Sequence, residues 1–209
     1  MSNPLRTELC RQLEIDLPII SAGMGPIAGP RLVAAVSNAG GLGVLGCTSM
    51  SPDEVRTVIR STRKLTDRPF GVDLILPPHI GQSGTQTSEV AKLIPDEHRS
   101  TAKRIASRLQ IEAPRSWGEE RNALGTDSEA QIQAILKEGV PVFVGALGSP
   151  NFIVDRFHEA NTTVMSIVGN TKQAIAVARD GADVVIAQGT EGGGHTGHVG
   201  TMALLPQVL

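Results

Sequence analysis

The sequence predicts an α/β fold built on a parallel sheet, and three observations support that class. Short β-branched runs alternate with amphipathic segments that close on glycine, the signature of successive βα units. The β runs are continuously apolar, as expected of parallel strands covered on their outer face by helices. A weak internal repeat agrees: "NAGGLGVLG", "EGVPVFVGALG" and "DGADVVIAQG" each run from a helix-ending glycine through a buried strand and out again at glycine. Two architectures satisfy this pattern, a (β/α) barrel and a doubly wound open sheet.

The elements follow in order. A strand is expected over 17–24 (LPIISAGM), then a helix over about 29–39, then a strand over 42–46 (LGVLG). Gly40 and Gly41 end that helix and let it lie close to the sheet. The next helix, 51–65, opens at Ser51-Pro-Asp-Glu, an N-cap serine followed by proline at the first helical position. A third strand, 70–76 (FGVDLIL), precedes a break in rhythm. Residues 77–127 begin "PPHIGQSGTQTS", continue as the polar helix-like run Glu89–Leu109 and hold the only tryptophan, Trp117. They read as an insertion within a single domain of 1–209, either a solvated excursion or a lid. The alternation then resumes: helix 128–138, strand 141–148, helix 151–160, strand 163–169, helix 171–180 and strand 183–188. Gly139 and Gly181 fall where a glycine just past a helix end belongs. Residues 201–209 (TMALLPQVL) start a sixth helix.

Composition excludes several functions. Nineteen basic against twenty-one acidic side chains give a net charge of −2, and aromatics are only 2% of the chain, which argues against a nucleic-acid partner. No run approaches the eighteen or so apolar residues of a membrane span, and "MSNPLRTELCRQLEIDLP" lacks the apolar core of a signal peptide, so a cytoplasmic protein is expected. Cys10 and Cys47 have neither disulfide nor zinc spacing and read as reduced, buried, small hydrophobes.

The chemistry concentrates at the ends of strands. "GLGVLG", Gly41 to Gly46, matches a dinucleotide fingerprint in letters only, because it follows a helix and is itself the strand. The stretch "AQGTEGGGHTGHVG", 187–200, leaves the C-terminal end of the sixth strand, the face where parallel α/β folds place their sites. His195 and His198 with Glu191 have metal-like spacing, but a glycine-rich loop pre-organises none of them, and no metal is expected. Glycines free the backbone to approach a flat ligand, and an imidazole with an ordinary pKa of about 6.5 suits proton transfer, so His195 is the catalytic candidate. His198 is equally consistent with a surface role. At the end of the first strand, Gly23, Met24 and Gly25 offer a close backbone approach and a polarizable side chain. Asp73 is a carboxylate inside an apolar strand, costly unless it is hydrogen-bonded or faces the barrel mouth.

These segments together resemble the nitronate monooxygenase (2-nitropropane dioxygenase) family of FMN-dependent (β/α) barrels. "LPIISAGMGPIAGPRLVAAVSNAGGLGVLG" resembles the family's opening, "PFGVDLILP" its third strand and "AQGTEGGGHTGHVGTMALLPQV" its flavin and active-site loop. The resemblance implies a TIM-type barrel, incomplete at about six of eight βα units, with the insertion after strand 3. It further implies that Gly23, Met24 and Gly25 back the flavin, that Gln188, Gly189, Gly193 and Gly194 contact FMN, and that His195 is the active-site histidine. Asp73 stands where the family usually has asparagine, and an ionised carboxylate accepts hydrogen bonds without donating any. The implied activity is oxidation of an alkyl nitronate or nitroalkane by dioxygen. The alternatives are an NAD(P)H-dependent reductase of enoyl-thioesters or quinones, and an inactive fragment. The chain reads as a barrel truncated at its C-terminus and missing the family's phosphate grip. Weak FMN binding and self-association through open strand edges are therefore expected.

Overall fold

A computed structural model describes residues 5–76, 94–110 and 128–209. Six parallel strands pair in chain order, β1 (Ile20–Ser21), β2 (Leu42–Gly46), β3 (Phe70–Ile75), β4 (Val142–Ala146), β5 (Thr163–Val168) and β6 (Val184–Ala187). They form a curled half-barrel, and among the described residues no ladder joins β6 back to β1. The helices are α1 (Glu8–Gln12), α2 (Pro30–Asn38), α3 (Pro52–Arg63), α4 (Asp96–Arg108), α5 (Ser128–Glu138), α6 (Val154–Glu159), α7 (Thr171–Arg179) and α8 (Thr201–Val208). Of the segment 77–127, only 94–110 is described, and the opening loop and Trp117 lie outside the described residues. The polar run there forms α4, which buries none of its side chains.

Register sorts the two faces of the sheet. Gly46, Asp73, Val144, Met165 and Val184 are successive partners across β2 to β6, forming one inward layer. Below it, Leu42, Val44 and Val142 pack with Cys10, Leu13 and Ile15, so α1 and the residues after it fill the inner face. The outer face carries Leu45, Phe70, Val72, Leu74, Phe143 and Val164 against Val55 and Ile59 of α3 and Ile132 and Ile135 of α5. Cys10 and Cys47 are free and buried.

Local chemistry explains the helix ends. Ser51 and Glu54 form a reciprocal capping box with Pro52 at the first position. Gly139 and Gly181 take φ of +58° and +94°, the left-handed conformation that follows a helix end. On the outer face of the sheet, α3 and α5 are tied directly. Arg60 pairs with Glu138 at 2.7 Å, and Arg63 donates to the Gly139 carbonyl at 3.0 Å. Buried Gln131 donates from Nε2 to the carbonyls of Cys47, Thr48 and Met50, holding the β2–α3 turn to α5.

Two elements differ from expectation. The first strand, expected over 17–24, pairs only at Ile20 and Ser21. Among the described residues it has a single neighbour, and the chain leaves the sheet at Ala22 to enter the 3-10 turn Gly25–Ile27. Helix α1 was not foreseen, because five residues are too few to show a helical period, although Thr7 caps it by accepting from the Cys10 N–H.

Candidate active site

The C-terminal ends of the strands surround a cleft of about 920 Å³. Its wall is built from the loops after β1, β4, β5 and β6 and from the end of β3. Gly23, Met24, Asp73, Gln188, Gly193, Gly194 and His195 all line it, so residues from three separate stretches of sequence meet in one place. Gly25 and Gly189 lie outside the lining. Gly25 backs Gly46, where an added Cβ would collide with the Gly25 backbone. Gly189 is buried against Thr201 and the Glu191 carboxylate, which leave no room for a side chain.

The histidine loop is shaped by its own bonds. The Thr190 N–H donates to the Val199 carbonyl at 2.9 Å, closing the loop at its base. One Glu191 oxygen accepts from both the backbone N–H and the hydroxyl of Thr201, each at 2.9 Å, capping α8. Those bonds, the backbone one foremost, hold the Glu191 carboxyl below the usual carboxylate range. Gln188 donates from Nε2 to the Gly193 carbonyl at 3.0 Å, fixing the near side of the lip. Gly169 and Gly197 bring the loops after β5 and β6 into backbone contact, since a Cβ on Gly169 would stand 2.9 Å from Gly197. Gly194 sits at φ +75°, turning the chain so that exposed His195 stands at the cleft. His198 is exposed and outside the lining.

Asp73 lies deep in the same cleft. It is 8% exposed, and Gly23 passes so close that a Cβ there would be 2.6 Å from the Cβ of Asp73. Burial pushes its pKa up to about 7. The neighbouring Cys47 thiol is pushed up to about 12, first by burial and then by the charge of Asp73, so it is an inert packing group.

The lower wall is apolar, with Ile75, Ala146, Ile167 and Val177. Sequence reasoning did not single out Leu147, Asn170 or Gln173, which also line the cleft. Leu147 holds φ +57°, a strained conformation for a leucine, directly after β4. The available signal was the glycine that follows each strand, Gly148 after β4 and Gly169 after β5, at the same strand-end level as Gly189 after β6.

A sequence model of the nitronate monooxygenase family matches residues 6–209. The chain is 34% identical over 205 residues to a (3aS,4S,5R,7aS)-5-hydroxy-7a-methyl-1-oxo-octahydro-1H-indene-4-carboxyl-CoA dehydrogenase of Mycobacterium tuberculosis, covering 98% of this chain and 44% of that protein. It is 32% identical over 215 residues to a probable nitronate monooxygenase of Staphylococcus aureus, covering 98% and 57% respectively. The solved nitroalkane oxidase of Streptomyces ansochromogenes superposes with a TM-score of 0.73 at 31% identity, over 97% of this chain and 57% of that one. The chain thus spans about half the length of the curated relatives it matches.

Proposed function

The chain belongs to the nitronate monooxygenase family, and on that premise we propose a flavin-dependent oxidoreductase whose cleft takes FMN and oxidises alkyl nitronates or nitroalkanes with dioxygen. The observation that carries this reading is His195 on a glycine-walled lip at the C-terminal end of a parallel sheet.

The residues present fit the ring of such a cofactor. The cleft volume lies in the range that holds a cofactor-sized ligand. Gly193 and Gly194 have open space where a Cβ would project, so a planar ring can rest on their backbone, while Met24, 47% exposed, offers a polarizable surface. Bound there, FMN supplies the acceptance of an electron pair from substrate and its transfer to dioxygen. The chain's own residues do the rest. His195, as a base, takes the α-proton of a nitroalkane on a ring nitrogen, and when protonated it pairs with a nitronate oxygen. Gln188 holds the Gly193 carbonyl and with it the lip, and Ile75, Ile167 and Val177 exclude water from below. On the same reading, the edges of β1 and β6, which pair with no further strand among the described residues, are where copies of the chain associate.

His195→Ala is expected to lower kcat/KM by roughly 10²-fold or more while leaving flavin content unchanged. A variant with the wild-type pH–rate profile would remove proton transfer from the role of His195. Anaerobic stopped-flow mixing tests the substrate class: an alkyl nitronate should bleach the flavin. The second reading, an NAD(P)H-dependent reductase of enoyl-thioesters or quinones, is favoured by the CoA thioester in the name of the Mycobacterium tuberculosis relative. Bleaching by NADH alone would select it, and bleaching by neither would indicate an inactive chain.

A further inference from the structure

Asp73 is the one acidic side chain lining the cleft among the described residues, and its surroundings lack what keeps a carboxylate ionised. It faces inward from β3 in the layer of Val144, Met165 and Val184, all apolar. Just past the end of β2 lies the Cys47 thiol, which brings no positive charge. From the β1 side the Gly23 backbone presses on it, and the other lining residues there, Ala22 and Met24, carry no charge. His195, on the loop after β6, is the sole other titratable residue of the lining, which contains no lysine or arginine. Burial is the only influence acting on the carboxyl, with no hydrogen bond or cation among the described residues to offset it. A carboxylate placed so forfeits its hydration for nothing, whereas the neutral acid keeps an O–H donor beside its acceptor oxygen.

We propose that Asp73 acts as a protonated acid that donates a hydrogen bond to an acceptor atom of the flavin ring, so that flavin affinity falls when this acid ionises. The inference rests on the reading that the cleft takes FMN. In the neutral form Asp73 offers a donor beside an acceptor, as does an asparagine amide, the residue more usual at this position in the resembling family. The same chemistry is available from an amide at every pH and from Asp73 only while its proton is held. With burial lifting its pKa to about 7, the switch falls across neutrality.

Titrating FMN into the wild type and Asp73→Asn by fluorescence quenching from pH 5.5 to 8.5 tests this. The wild type should lose about tenfold in affinity between pH 6 and pH 8, and Asp73→Asn should hold the acid-side affinity throughout. Carbon-13 NMR of the flavin-free wild type should show the Asp73 carboxyl titrating near neutrality. A carboxyl titrating below pH 5, or wild-type affinity as flat as that of Asp73→Asn, overturns the proposal alone. An equal fall in both proteins also overturns it and assigns the dependence to His195 or the FMN phosphate. If neither protein binds FMN at any pH, the cofactor reading fails and takes this inference with it.

Discussion

Strands β2, β3 and β4 are buried along nearly their whole length, whereas every residue of β6 is partly exposed, and β6 is the strand that hands the chain to the histidine loop. The central strands have a ladder on each side and helices across the outer face. Among the described residues β6 has one ladder, to β5; Val185 packs on a small satellite cluster around Val168, Ala174 and Val177, and Val184 and Ile186 reach the inner core only as partly exposed side chains. Order in the loop is therefore not inherited from the sheet. It comes from a few local bonds, Thr190 to Val199, Gln188 to Gly193 and Glu191 to Thr201, and from the Gly169–Gly197 contact. Stability resides in the middle of the sheet, and the histidine loop is held at its edge by polar bonds.

Substitution in the two regions should separate them. Phe143 is fully buried and stacks on Phe157 with ring centroids 4.3 Å apart. Phe143→Ala is expected to cost about 3–5 kcal/mol in urea unfolding, and Ile186→Ala on β6 only about 1 kcal/mol. Equal costs would erase the distinction between centre and edge.

Asp73 is the exception within the buried centre, and its effect depends on pH. Its pKa rises from an ordinary 3.8 to about 7 in the fold, so between those values the folded chain holds a proton that the unfolded chain has released. Stability therefore declines as pH rises from about 4 through 7 and is level above that, a total of at most roughly 4 kcal/mol. Asp73→Asn should be more stable than the wild type at pH 8 by up to that amount and indistinguishable from it at pH 4. Parallel stability–pH curves for the two proteins would mean that the carboxyl finds a partner.

The smallest effect belongs to the loop. Glu191→Ala should leave the urea midpoint nearly unchanged, speed amide exchange at Thr201 and lower kcat several-fold through a looser His195. Unaltered exchange at Thr201 would show that the cap does not order the loop. Because the Glu191 carboxyl is held below the ordinary range, the cap persists above that range and is lost only in acid.

Much of this was legible from local signals. Ser51-Pro-Asp-Glu, Gly139 and Gly181 are punctuation that works through the backbone within a few residues, and the structure uses all three as read. Of the "GLGVLG" segment, Leu42–Gly46 is β2, packed so closely on α2 that a Cβ on Gly43 would overlap the Val33 backbone. The cleft was legible only where it holds unusual residues. His195 and Asp73 stand out against their neighbours in any reading of the chain. Leu147, Asn170 and Gln173 do not, because their place in the lining is fixed by strand register and by the curl of the sheet. The buried state of Asp73 is likewise a tertiary property, set by Gly23 pressing on it from fifty residues away in the chain.

The ties between α3 and α5 have a consequence for how this chain tolerates change in length. Arg60, Arg63 and Gln131 tie α3 and the β2–α3 turn to α5 through residues that all lie outside the stretch 77–127. For a flexible connection, each doubling in length adds only about 0.6 kcal/mol to the cost of bringing its ends together. Such a connection can be lengthened, shortened or replaced over evolutionary time at almost constant folding free energy. The position after β3 is thus the port at which related chains can acquire a new wall for the cleft without renegotiating the barrel beneath it.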